Sequence, residues 1–103
     1  MDIINTSEAK ELYKAIMSLQ TLGETKKFLR DLLTEPEIKE FSNRWKVARM
    51  LDEKISYEEI ERQTGMSSTT IARIQKWLNG PVKGYKNMLK KTKQNKNVAH
   101  HTF

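Results

Sequence analysis

The chain has 103 residues, no cysteine, and 19 Lys or Arg against 13 Asp or Glu, for a formal net charge of +6. That length allows one small domain whose single copy buries a limited core, which favours self-association, and the lack of cysteine excludes disulfides, thiolate metal sites and thiol nucleophiles. No apolar run approaches the roughly 20 residues needed to cross a bilayer, and the opening MDIINTSEAKEL has early acids and no continuous apolar stretch, so neither membrane span nor secretory signal is expected and the location expected is cytoplasmic.

The first predicted helix is capped by Thr6 or Ser7, with Leu12, Ile16 and Leu19 on one stripe and Tyr13 and Leu22 widening it. Gly23 weakens it near its end. A second helix over residues 25–33 carries Phe28, Leu29, Leu32 and Leu33. At Thr34-Glu35-Pro36-Glu37 the pattern resets, with a capping threonine, a glutamate three residues on and a proline in the first turn. The third helix places Ile38, Phe41, Trp45 and Ala48 at i, i+3, i+7 and i+10, broadened by Val47, Met50 and Leu51. Ser42-Asn43 is a candidate break in it. These stripes are wider than one short neighbour can cover; an intertwined dimer would cover them, and so would a compact monomeric bundle.

Residues 56–79, SYEEIERQTGMSSTTIARIQKWLN, organise the rest of the chain. A helix over residues 57–64 is capped by Ser56, with Glu59 positioned for a reciprocal capping box. Gly65 ends it, because glycine takes the left-handed conformation without a Cβ clash. Met66 follows as a plug, and Ser67 or Ser68 caps a second helix whose Ile71, Ile74 and Leu78 face Ile60. This spacing is that of a helix-turn-helix. On the outward face Ser68, Thr69, Ala72, Arg73 and Lys76 form an acid-free row of the kind that enters a DNA major groove. An ordinary αα-hairpin with a solvated second helix is the plainer alternative.

Asn79-Gly80-Pro81 then stops the helix, and a last short helix carries Tyr85, Met88 and Leu89 on one face. Charge is uneven: residues 1–80 hold 13 basic and 13 acidic side chains, whereas residues 81–103 hold six lysines and no acid. The basic tail, residues 91–103, is expected to be disordered; it reads equally as an arm for polyanion phosphates or as a solvated terminus. No catalytic set can be drawn, since the carboxylates lie among lysines and there is no Ser-His or Cys-His arrangement. His100 and His101 lack carboxylate or thiolate companions, so no metal site is expected. Trp45 and Trp77 read as core or dimer-interface residues.

Over residues 11–89 the order of features resembles the Trp repressor superfamily, in particular its YerC/YecD-type Trp-repressor-related branch. The resemblance rests on Leu32-Leu33-Thr34-Glu35-Pro36-Glu37, Arg44, Ser56, Thr64-Gly65 and Thr70-Ile71-Ala72-Arg73. It implies an all-α, Trp-repressor-like helical bundle over residues 1–90, assembled as an intertwined homodimer that places two recognition helices in successive major grooves. The function it implies is a sequence-specific transcriptional regulator, a repressor by its small size, with double-stranded DNA and a second copy as partners. The DNA-contacting residues would be Ser67, Ser68, Thr69, Thr70, Ala72, Arg73 and Lys76. The resemblance also leaves room for a small-molecule corepressor, of unknown identity, in a pocket of Leu33, Thr34, Arg44, Arg73, Ile74 and Trp77. Two positions depart from the tryptophan-responsive pattern: Ile74 stands where a small residue is expected and Trp77 where a serine is. Both could fill the cavity themselves, so no cofactor is expected to be required. The competing reading is a protein-interaction or scaffold module using the same hairpin without specific DNA binding, favoured by Glu58, Glu59 and Glu61.

Overall fold

The computed structural model describes the backbone of residues 2–99 and the side chains of residues 2–93. The described residues form a 3₁₀ turn, Ile3–Asn5, and then only α-helices: α1 Ser7–Met17, α2 Leu22–Leu32, α3 Glu35–Asp52, α4 Tyr57–Thr64, α5 Ser68–Leu78 and α6 Gly84–Ala99. The chain divides between Ile38 and Lys39 into two compact units.

In the first unit, local hydrogen bonds decide where helices begin. Thr6 caps α1, its Oγ1 accepting the Ala9 amide at 3.1 Å, and the Tyr13 hydroxyl donates to the Ile4 carbonyl at 2.8 Å, tying the 3₁₀ turn to α1. α2 starts earlier than the apolar pattern predicts. Thr21 Oγ1 accepts the Glu24 amide at 3.0 Å while Glu24 Oε1 accepts the Thr21 amide at 3.2 Å, a complete capping box. Gly23 therefore lies in the first turn of α2 rather than near the end of the preceding helix, and Leu33 lies beyond the helix in extended backbone. Two otherwise orphaned amides satisfied together outweigh the roughly 1 kcal/mol propensity cost of one glycine. No residue of α1 or α2 is buried.

α3 begins as the sequence predicts: the Thr34 amide donates to Glu37 Oε1 at 2.9 Å and the Glu37 amide to Thr34 Oγ1 at 3.3 Å. It then runs unbroken through Ser42 and Asn43. Serine and asparagine cost only a few tenths of a kcal/mol inside a helix, less than nucleating a second one.

The second unit holds the core. Val47, Ala48, Met50 and Leu51 of α3 meet Ile60 of α4, Ile71, Ile74 and Leu78 of α5, and Leu89 of α6. Trp45, Ile55, Met66 and Tyr85 pack around them half-buried. The Trp45 and Tyr85 rings stack with centroids 6.3 Å apart and planes 22° from parallel, and Asp52 at the end of α3 pairs with Lys93 of α6. These anchors explain why α6 is longer than predicted. The segment 91–99, expected to lack fixed structure, is helical, whereas His100, His101 and the last two residues lie outside the described residues. Among the described residues no helix is long and apolar enough to cross a membrane.

Candidate nucleic-acid interface

The helix-turn-helix is built from two capped helices and one left-handed residue. Ser56 Oγ accepts the Glu59 amide at 3.2 Å and so starts α4. The reciprocal half of the expected box does not form. Glu59 instead directs its carboxylate along the helix to Arg62, which binds it through two guanidinium nitrogens, and to Gln63 Nε2 at 2.7 Å, because a charge-assisted bidentate pair is stronger than a bond to one neutral amide. The Arg62 and Gln63 bonds hold the Glu59 carboxyl below the usual glutamate value.

Gly65 ends α4 at φ 74° and ψ 2°, and its amide donates to the Glu61 carbonyl at 2.8 Å. Thr64 stiffens the corner: its hydroxyl donates to the Ile60 carbonyl at 2.7 Å and accepts the Met66 amide at 3.2 Å. Of the two candidate serines it is Ser67 that caps α5, accepting the Thr70 amide at 3.2 Å, with the two hydroxyls 3.1 Å apart.

Once α5 is seated by Ile71, Ile74 and Leu78, its remaining faces are determined. Ser67, Ser68, Thr69, Ala72, Arg73 and Lys76 are exposed, and Thr70 is half-buried beside its capping partner. Among the described residues neither Arg73 nor Lys76 is paired with a carboxylate. The surface thus combines short hydroxyl side chains, a small Ala72 that permits close approach, and two free cations, a composition suited to phosphates and base edges. The acids of α4 are elsewhere on the hairpin: Glu59 is engaged by Arg62, and Glu58 and Glu61 are exposed on α4.

The six residues proposed for a ligand pocket are distributed differently. Leu33 and Thr34 belong to the first unit, where the Leu33 carbonyl accepts from Arg30 and Thr34 caps α3. In the second unit the Arg44 guanidinium lies 5.5 Å over the Phe41 ring and 3.6 Å from Glu40, Arg73 is exposed, and Ile74 is 0 % exposed within the core. Of the six, Trp77 borders an open cavity of 630 Å³ lined almost wholly by apolar side chains including Trp45, Pro81, Val82, Tyr85 and Met88. Among the described residues its sole charged contributor is Lys76. Sequence reasoning missed this groove; the available signal was the aromatic and apolar excess on both sides of the Asn79-Gly80-Pro81 turn.

Residues 7–93 match the family model described as Trp repressor protein. The chain belongs to the Trp repressor family. Within that family it is of YerC type: it is 37% identical over 94 residues to "Uncharacterized protein YerC" of Bacillus subtilis, covering 91% of this chain and 90% of that protein. The crystal structure of a TrpR-like protein from Eubacterium eligens matches it with a TM-score of 0.82 and 35% identity, over 89% of this chain and 95% of that one. Trp repressor family members are regulatory DNA-binding proteins rather than enzymes, so membership and these likenesses suggest a helix-turn-helix DNA-binding regulator.

Proposed function

We propose that this protein is a sequence-specific transcriptional repressor that binds near-palindromic operator DNA as a homodimer through α4 and α5. The observation that carries the reading is the outward face of α5, an exposed acid-free row backed by side chains with no exposure at all. In this reading Ser67, Ser68 and Thr70 position the helix on phosphates, and Thr69, Ala72, Arg73 and Lys76 meet base edges. The repressor sense of the reading is supported by the family description, Trp repressor protein.

Uncovered apolar surface supports the homodimer. Ile16, Met17 and Leu22 are exposed in the first unit, and Trp77, Val82 and Met88 around the groove of the second; such patches mark surfaces covered by a partner. Two copies related by a twofold axis would set half-sites one duplex turn apart, ~34 Å. Corepression by tryptophan is no part of the proposal. Ile74 packs its own side chain into the core where the resemblance expects a small residue.

The test is selection of bound duplexes from a random DNA library, with and without a mixture of amino acids. Enrichment of a palindrome with half-sites about one turn apart in both conditions is the expected result. Enrichment only with the mixture would reinstate a corepressor. Weak, salt-sensitive binding with no enrichment would replace this reading by that of a protein-interaction module.

A further inference from the structure

The lysines that follow the helix-turn-helix do not form a loose tail over the described residues. All but Lys83 sit on α6, a helix fixed to the same unit as α5 and packed against it. Leu89 is 4 % exposed in the core, Tyr85 stacks on Trp45, and Lys93 pairs with Asp52. Each anchor is an interaction of α6 with α3 or with the shared core.

The other lysines of this helix are placed differently. Lys86, Lys90 and Lys91 are exposed and, among the described residues, have no carboxylate partner. Residues 81–103 hold six lysines and no acid that could supply one. Lys86 and Lys90 are four apart and Lys90 and Lys93 three apart, spacings at which like charges repel along a helix. Docking of Leu89 and Tyr85 holds the helix against that repulsion, and a polyanion would relieve it.

We propose that Lys86, Lys90 and Lys91 of α6 form a second DNA-contacting surface, one that holds backbone phosphates independently of sequence beside the segment met by α5. This rests on the DNA-binding reading of α5. Two arguments favour a duplex as the occupant. The lysines are on the unit that carries the helix-turn-helix, and DNA offers one charge per ~1.7 Å of axis, so Lys86 and Lys90, on one stripe of α6 and about 6 Å apart along its axis, are spaced to meet a run of phosphates, with Lys91 about 100° round the helix from Lys90. A docked helix has also already lost the conformational freedom that a flexible arm would lose on binding.

The experiment compares the full chain with the triple variant K86Q/K90Q/K91Q and the charge-keeping K86R/K90R/K91R. Affinity is measured from about 50 to about 200 mM salt on a duplex carrying the selected site and on a random-sequence duplex of equal length. The Gln variant should melt no lower than the wild type, since Tyr85, Leu89 and Lys93 are untouched and the lysine repulsion along α6 is relieved. Its slope of log affinity against log salt should become shallower by about 0.9 for each phosphate that is no longer neutralised, equally on both duplexes, and the Arg variant should keep the wild-type slope. An unaltered slope in the Gln variant, or a weakening confined to the selected site, overturns the proposal and leaves α5 standing. No salt-dependent DNA binding by the wild type overturns both.

Discussion

At the scale of single residues, two positions carry separable consequences. Arg73 is exposed, without a carboxylate partner among the described residues, and one position after the small Ala72. Arg73→Ala is expected to weaken operator binding and to relax preference at one base position by about 1 to 3 kcal/mol. Competition against duplexes substituted base by base measures this, and an unchanged preference at every position would remove Arg73 from the interface. Gly65 tests the corner instead of the contact face. Nothing lies within 4 Å of where its Cβ would stand, yet its φ of 74° is one that side chains disfavour. Gly65→Ala should therefore cost about 1 to 2 kcal/mol from the backbone alone, read as a lower denaturant midpoint with an unchanged slope.

At the scale of elements, two glutamates in the first turns of α3 and α4 are expected to make stability respond to pH. Glu37 is held below the ordinary glutamate value by the Thr34 amide and then the Thr34 hydroxyl, and Glu59 by Arg62 and then Gln63. A carboxylate with a depressed folded value is bonded in its ionised form, so its contribution is complete above the ordinary value. That contribution is lost as pH falls through the depressed one. Melting temperature should consequently decline on the acid side of the carboxylate range, and a Glu37→Gln, Glu59→Gln double variant should decline less. Equal declines would mean that these two groups do not govern acid stability. Thr34→Ala removes the cap of α3 and is expected to cost about 0.5 to 2 kcal/mol. α5 depends on packing more than on its cap: Ile71→Ala, at a site with no exposure, should cost about 2 to 5 kcal/mol, measured by chemical denaturation.

At the scale of the whole molecule, the groove beside Trp77 is the feature that tests assembly. Val82 borders it and is 86 % exposed, so Val82→Asp places a charge in the apolar surface without disturbing the core. If a second copy covers that surface, sedimentation should find the wild type at twice the chain mass and the variant shifted towards the monomer. A variant that remains dimeric would move the interface elsewhere. The helix-turn-helix, the caps at Thr6, Thr34 and Ser56 and the turn at Gly65 are all legible in the sequence. Each depends on hydrogen bonds spanning three or four residues and on a helical period that residue order displays directly. Gly23 masks the Thr21 to Glu24 box, and the partner of Glu59 is undecided at that level because Ser56 and Arg62 both lie within its reach and residue order does not rank them. Residue order likewise allows Ile74 a place in the core or in a pocket; only packing decides for the core. The length of α6 is beyond the sequence, and so is the closing of the groove, of which residue order shows only the apolar and aromatic excess around Asn79-Gly80-Pro81. Asp52 and Lys93, or Trp45 and Tyr85, are some 40 residues apart, and contacts at that separation exist only once α3, α5 and α6 have come together.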